Sequence, residues 1–446
     1  MSHHEQLFFN APASRLIAPP PQAARRLLKS APADKPGTER LIVVGQGVLA
    51  VTLNRQAAFS LTLQDPERRH GFRLEVTEKQ ARFAHLHDGQ WRTYEPQPAT
   101  AGHPQALPYG DQQPTFFYKE GGGLDKSDQC PYWLSLDSNN GLLRYGKGEV
   151  RRNTLLAELS FPIQPPVPEK QAADPYAWVR TVATVSFEAE VVQPFKVYRD
   201  PVIVDPAMVV VDRNQLTMDD IARNRATVAA NLTPTCQLLY DNVSGAQFTL
   251  NTPDFPDFAQ AIEASIASPD GWCYQTLLEK AGEFGGSNPD ETYLRITLGL
   301  NQGDSPGIPY VMEIWPPGHY SPLHNHGGAN AVIRVLHGEI TVSLFPMLSE
   351  YHQQPFMIAK FGPGDVTWIS PELNQNHQLH NTNVTGPTCI TIQCYLYGEG
   401  NTTHYKYFDY LNEHGQIKQF TPNSDMSFLE FKALMKREWL SRYRPG

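Results

Sequence analysis

Two histidines one residue apart carry the clearest chemical signal in the sequence. The segment 316–326 ends in His324-Asn325-His326. On a β-strand, side chains two residues apart face the same side, so both imidazoles could reach one metal ion. Neutral imidazole nitrogens bind Fe(II), Zn(II) and Ni(II). The spacing therefore predicts a metal site built around His324 and His326.

A third imidazole is available downstream, in the segment 376–381. His377 and His380 both lie there, after the Gly-Pro-Gly turn at 362–364. An offset of three residues gives these two side chains opposite directions on a strand, so only one of them can face the first pair. The spacing within this strand leaves both histidines open as the third ligand.

These residues resemble the first sequence motif of the cupin superfamily, which reads Gly, five residues, His-x-His, three or four residues, Glu, six residues, Gly. Gly318, His324, His326 and Gly338 occupy its places, and Ala331 stands where the usual glutamate ligand would be. The resemblance implies a double-stranded β-helix, or jelly-roll, barrel. A site with three histidines and no carboxylate belongs to a narrower class of cupins.

Within that class, the region from about residue 255 to the end resembles the cysteine dioxygenase family of thiol dioxygenases. That family has a Tyr-x-Arg before the His-x-His, and its arginine clamps the substrate carboxylate. Here Tyr293-Leu294-Arg295 ends 29 residues before His324 (324 − 295). The resemblance implies that Arg295 forks onto the carboxylate bidentately and that Tyr293 lines the same pocket.

The late strand of the family carries Ser-x-His-x-Tyr. In this chain Gln393, Tyr395 and Tyr397 fall there, so only the final tyrosine is kept. The resemblance implies that Tyr397 is a catalytic residue together with Arg295, and that Gln393 and Tyr395 contact the substrate. Animal members crosslink a cysteine to this tyrosine, and Ala331 excludes that crosslink here.

The family's spacing guides our choice of the third ligand. His380 stands 17 residues before Tyr397 (397 − 380), about the distance found in the family, and we favour it. His377 remains the alternative, because with Asn381 it keeps the His-to-Asn spacing of the second cupin motif.

The resemblance implies an Fe(II)-dependent dioxygenase that converts L-cysteine, or a similar small thiol carboxylate, and O2 to the sulfinic acid. Two alternatives stay open. One is a dioxygenase for 3-mercaptopropionate or another thiol, and the other is a non-catalytic cupin that binds a metal or small ligand as a sensor. The sequence does not distinguish iron from zinc, nickel or manganese.

The elements that must position these residues are mainly β. Short apolar and β-branched runs alternate with turn residues over 41–161 and 292–408. Asn140-Gly141 separates two such runs and predicts a hairpin. Apolar residues spaced three and four apart from Phe258, and again from Trp272, predict two helices before the second β region.

A chain of 446 residues is expected to form more than one domain. We expect an extended arm at 1–40, a β-sandwich-like domain with a proline-rich connector at 41–205, and a cysteine dioxygenase-like cupin domain with its preceding helices at 206–446. A second His-x-His, at His85 and His87, lacks the glycine framing of a cupin motif, and we expect no metal there.

Composition excludes several partners. The formal charge of −9 and the absence of basic runs argue against nucleic acid. The apolar runs are too short to span a membrane, and the first residues lack a signal-peptide pattern. Five cysteines without a CxxC pair suit a reducing compartment, so we expect a cytoplasmic location. The sequence gives no indication of oligomeric state.

Overall fold

The computed structural model describes residues 37–53, 57–87, 89–94, 115–127, 130–162, 176–190, 195–203, 205–299, 309–398 and 407–442. The chain is mainly β, as predicted. It divides into two compact units, one containing the described residues up to Asp205 and the other those from Pro206 onward.

The first unit contains twelve described strands in two antiparallel sheets. The sheets run in the orders β1-β11-β3-β4-β5-β6 and β12-β2-β8-β9-β10-β7, with these bounds: β1 Thr38–Arg40, β2 Gln46–Thr52, β3 Phe59–Gln64, β4 Gly71–Val76, β5 Ala81–His87, β6 Gln90–Thr93, β7 Thr115–Tyr118, β8 Pro131–Asp137, β9 Leu142–Lys147, β10 Leu155–Ser160, β11 Thr184–Ala189 and β12 Phe195–Tyr198. Short 3₁₀ helices lie at Arg152–Thr154 and Ala177–Thr181.

Aromatic side chains join the two sheets of this unit face to face. The rings of Phe59 on β3 and Tyr132 on β8 meet edge to face at 5.1 Å, and those of Phe83 on β5 and Phe116 on β7 meet at 5.4 Å. Two sheets whose inner faces interdigitate over a shared core form a β-sandwich. The arrangement matches the sandwich expected from the short strands.

The second unit contains the remaining strands, again in two sheets, of orders β14-β13-β21-β18-β23-β16-β15-β26 and β20-β19-β22-β17-β24-β25. Their bounds are β13 Val209–Val211, β14 Ala226–Val228, β15 Leu294–Gly299, β16 Tyr310–Trp315, β17 Leu323–His324, β18 Asn330–His337, β19 Ile340–Leu344, β20 Met357–Phe361, β21 Val366–Ile369, β22 His377–His380, β23 Cys389–Leu396, β24 Phe408–Leu411, β25 Ile417–Phe420 and β26 Met426–Ser427.

The described helices lie beside the larger of these sheets, and all but the first pack on its outer face. They are α1 Met218–Ala222, α2 Pro234–Ser244, α3 Phe258–Ala267, α4 Trp272–Glu279 and α5 Phe428–Arg442, with a 3₁₀ turn at Ala229–Asn231. Thr233 caps α2, because its side chain accepts a hydrogen bond from the backbone N–H of Cys236 and Pro234 stands at the first helical position. Helices α3, α4 and α5 bury one apolar cluster against β15, β16 and β23.

The two sheets of the second unit share one core. Ile333 and Val335 of β18 pack with Ile340 and Val342 of β19 across the space between them. Gly338 makes the turn between these strands at φ 66°, where a Cβ would lie 2.4 Å from the carbonyl oxygen of Thr388. This motif glycine is therefore required by both backbone conformation and space.

Several local predictions are confirmed. The hairpin at Asn140-Gly141 pairs β8 with β9, and the two predicted helices are α3 and α4. Residues 38–40, predicted to belong to the extended arm, form β1 and pair with β11. Residues 1–36 and part of the proline-rich connector, 163–175, lie outside the described residues. No helix in the described ranges is long and apolar enough to cross a bilayer.

Replacing a valine in the shared core should cost more stability than replacing an exposed one. Val342 is 1% exposed between the sheets and Val384 is 82% exposed. Val342→Ala should lower the free energy of unfolding by about 2 kcal/mol, because two buried methyl groups are lost and a cavity remains. Val384→Ala should change it by less than about 0.5 kcal/mol. Equal urea midpoints for the two variants would contradict this assignment of the core.

Candidate metal centre

Three histidines converge between the two sheets of the second unit. His324 ends β17, His326 follows two residues later, and His377 begins β22, directly opposite His324 in the antiparallel pair. Their ligand nitrogens all lie within 4.8 Å of one another. The ring centroids are 4.7 to 4.9 Å apart. Strand pairing and the His-x-His spacing together build this cluster, which we call the histidine triad.

The expectation that His380 completes the triad is wrong. His377 takes that place, and His380, three residues along the same strand, points to the other side of β22. There it is half-buried, and its ring lies 5.4 Å from that of Tyr320. The alternation of side chains along a strand predicted that one of the two histidines faces away from the first pair. The structure shows that this one is His380.

The triad is built to be uncharged. Burial lowers the pKa of His324 to about 4, and burial with the neighbouring imidazoles lowers the pKa values of His326 and His377 well below the usual range. The Nδ1 of His324 lies 2.9 Å from the carbonyl oxygen of Pro322, so it donates there as N–H and leaves Nε2 as a lone-pair donor.

This donor set fits a divalent transition metal. The Nε2 atoms of His326 and His377 lie only 2.9 Å apart, a distance at which two lone pairs repel unless a proton or a cation lies between them. Three neutral nitrogen donors converging on one point are typical of sites for iron, zinc, nickel or copper. His324, His326 and His377 would hold such an ion.

A narrow cavity opens beside the triad. It is lined by Tyr293, Arg295, Val311, Glu313, Trp315, His324, Leu379, Gln393, Tyr395, Phe408 and Pro422. Four of the five residues predicted to be catalytic or to contact the substrate are therefore in one place with a triad histidine. The fifth, Tyr397, follows β23 and is not part of this lining.

Arg295 reaches the cavity from β15 and is almost fully buried. Its Nη2 pairs with Glu283, its Nε donates to the carbonyl oxygen of Asn423 at 2.9 Å, and its guanidinium stacks on Tyr293 and Phe420. The buried Nη1 has no hydrogen-bond partner in the described part of the chain. The side chain thus presents a fixed cation with one spare donor group.

Tyr395 lies beside the triad, two residues before the predicted Tyr397. The ring of Tyr395 stacks on that of His326, with centroids 5.4 Å apart. In the pairing of β18 with β23, Tyr395 lies directly opposite Ala331. Ala331 is the position that holds the crosslinking cysteine in animal members of the resembled family.

A hydrogen-bonded chain leads from Tyr395 to a carboxyl group that the sequence analysis missed. The Tyr395 hydroxyl donates to Gln393 Oε1, and Gln393 Nε2 donates to Glu313 Oε2. Burial raises the pKa of Glu313 to about 8, so this carboxyl holds a proton at neutral pH in the absence of a ligand. The sequence did contain a signal for this group. Glu313 is the single acidic residue in the otherwise apolar strand β16, and carboxylates are rarely fully buried unless they are paired.

Comparisons with known proteins give partial structural likenesses. No known family profile matches the sequence. A cupin domain of an XRE family transcriptional regulator from Enterobacter cloacae is 14% identical, with 20% of this chain and 81% of that one covered, at a TM-score of 0.16. A cupin superfamily protein from Desulfitobacterium hafniense is 13% identical, over 23% and 77% of the two chains, at 0.17.

The DMSP lyase from Ruegeria pomeroyi is 21% identical, over 21% of this chain and 40% of that one, at 0.15. These values identify no activity for the chain. The structure itself shows a mainly β fold whose histidine triad could hold a metal.

Removing the third imidazole should abolish tight metal binding, whereas removing its neighbour should not. His377→Ala leaves two of three donors, and we expect its metal content after loading with Fe(II) or Co(II) to fall at least about tenfold. His380→Ala is the matched control on the same strand and should load like the wild type. Metal analysis after gel filtration measures both. Loss of metal in His380→Ala alone would contradict the triad.

Proposed function

We propose that this protein is a metal-dependent thiol dioxygenase that acts on a small thiol carboxylate. One observation carries the proposal: His324 of the neutral histidine triad and buried Arg295, whose Nη1 has no hydrogen-bond partner among the described residues, line the same narrow cavity. A site that pairs a metal centre with a fixed cation suits a small ligand that has a metal-binding group and an anionic group.

His324, His326 and His377 would hold the metal, and Fe(II) is the ion we propose. Bound by three neutral ligands, it would keep its full charge and supply open positions for a thiolate and for O2. The overall reaction is R–S⁻ + O2 → R–SO2⁻, in which sulfur is oxidised, O2 is reduced and both oxygen atoms form bonds to sulfur. It requires no further reductant.

Arg295 would bind the substrate carboxylate, though with less of its guanidinium than the resemblance implies. Nη2 and Nε already have partners in Glu283 and Asn423, so a bidentate fork through both ends would first have to break one of those contacts. Nη1 is the group that remains. Because it is held in place before a ligand arrives, little side-chain entropy is lost on binding.

Tyr395 would act beside the metal. Its hydroxyl donates to Gln393, so its oxygen lone pairs remain available as an acceptor. Counted from His377, Tyr395 lies 18 residues downstream (395 − 377), close to the spacing of the resembled family. In this register Thr391, Gln393 and Tyr395 occupy the Ser-x-His-x-Tyr places, so a hydroxyl and the tyrosine are both kept.

The direct test is oxygen uptake coupled to product analysis. The purified chain would be loaded anaerobically with Fe(II), given L-cysteine or 3-mercaptopropionate, and then exposed to O2. We expect one sulfinate per O2 consumed, identified by mass spectrometry. Metal binding with tight thiol binding but no oxygen uptake would replace this proposal with the sensor alternative.

Arg295→Lys tests the carboxylate contact. Lysine keeps the charge but cannot place a donor at Nη1 while maintaining the contacts to Glu283 and Asn423. We expect the KM for the thiol acid to rise roughly ten- to a hundredfold, the value of a charge-assisted hydrogen bond, with metal content unchanged. An unchanged KM at normal metal content would remove Arg295 from the substrate site.

Removing single hydroxyl groups distinguishes the two tyrosines. Tyr395→Phe should lower kcat by about tenfold or more, because the hydroxyl lost is the one beside the triad. Tyr397→Phe removes an equivalent hydroxyl two residues away and should change kcat by less than about threefold. A larger loss of kcat in Tyr397→Phe than in Tyr395→Phe would support Tyr397, the tyrosine predicted from the sequence.

A further inference from the structure

Glu313 faces Arg295 from the neighbouring strand. The two residues are directly opposite in the antiparallel pair of β15 with β16, and both line the cavity beside the triad. Directly opposite residues have Cβ atoms about 5 Å apart, close enough for charged side chains to interact. Yet among the described residues the ion pair of Arg295 is with Glu283 and not with Glu313.

The charged side chains around the cavity include more carboxyl groups than cations. Lys280 pairs with Asp425 at 2.9 Å, and Arg295 pairs with Glu283. Glu313 is the remaining carboxyl group, and its hydrogen bond is to the neutral amide of Gln393. Arg295 and Lys280 are near enough to favour its charged form, but among the described residues neither forms an ion pair with it. A buried carboxyl without an ion-paired cation is costly to ionise, and a ligand that brings a cation into contact would reduce that cost.

We propose that Glu313 determines substrate specificity by binding the amino group of the substrate, while Nη1 of Arg295 binds its carboxylate. The inference rests on the proposed function for the thiol and deepens it. The substrate class is an α-amino thiol acid such as L-cysteine, taken as a zwitterion between two opposite charges on neighbouring strands. A thiol acid without an amino group would leave Glu313 unpaired or protonated.

Glu313 would let the site distinguish thiol acids with an amino group from those without one, which Arg295 alone cannot do. L-cysteine and 3-mercaptopropionate share the thiol and the carboxylate and differ by the amino group. A site that buries an acceptor for a donor group rejects the analogue lacking that group, because the acceptor is then left without its partner. Glu313 places such an acceptor inside the cavity.

The test compares the two thiols on the full chain loaded with Fe(II), by anaerobic calorimetry, so that binding is measured without turnover. In the wild type, L-cysteine should bind more tightly than 3-mercaptopropionate. Glu313→Gln keeps the shape and removes the negative charge. It should raise the Kd of L-cysteine roughly ten- to a hundredfold more than it raises that of 3-mercaptopropionate.

Two further variants make the comparison decisive. Glu313→Asp keeps a carboxylate on a shorter side chain and should retain part of the preference for L-cysteine, which separates charge from packing. Glu339→Gln neutralises an exposed carboxylate that pairs with Lys360 and should leave both affinities unchanged. Metal content and the unfolding midpoint are measured for each variant.

An equal loss of affinity for both thiols in Glu313→Gln, or a wild type that binds neither thiol or prefers 3-mercaptopropionate, would overturn the role of Glu313. Oxygen uptake is scored separately. If wild-type protein forms no sulfinate but shows the selective loss in Glu313→Gln, the dioxygenase proposal fails and the assignment of Glu313 stands.

Discussion

Burying three imidazoles together without a carboxylate among them is the constraint on which the rest of the second unit depends. A protonated imidazole in this space would be a buried cation without a partner, so the folded state keeps His324, His326 and His377 neutral. Neutral rings have free lone pairs, and lone pairs that converge could hold a cation. The sheets must therefore hold β17 and β22 in register, since a slip of one residue would exchange His377 for a side chain of the opposite face.

The larger sheet meets this constraint by burying both of its faces. Along β16 and β23 the outward side chains, such as Ile314 and Ile392, pack under helices, while the inward ones at alternate positions face the space between the two sheets. Polar inward residues are concentrated beside the triad, where Glu313 and Gln393 bond each other. Satisfied hydrogen bonds offset the cost of burying these groups, so the strand can carry chemistry without destabilising the core.

The sequence predicted what depends on local spacing. The His-x-His pair, the Asn140-Gly141 hairpin and the two helices from Phe258 and Trp272 are features of periods and turns within a few residues. The third histidine was misplaced because the choice between His377 and His380 rested on counting residues between distant segments. Strand periodicity shows that only one of the two can face the first pair, but not which one. The hydrogen bond between Glu313 and Gln393 could not be predicted either, because it depends on β16 and β23 becoming neighbours.

Arg295 shows how a residue can be fixed by structure and still keep a donor group without a partner among the described residues. Glu283, Asn423 and the rings of Tyr293 and Phe420 hold its guanidinium before any substrate is present, through contacts that reach 128 residues along the chain. This fixation leaves one donor group, Nη1, for the cavity. One donor can orient a carboxylate but cannot by itself distinguish among thiol acids that all carry one. Discrimination must come from a second group at a fixed distance from the first, and strand pairing supplies it, because Glu313 lies directly opposite Arg295.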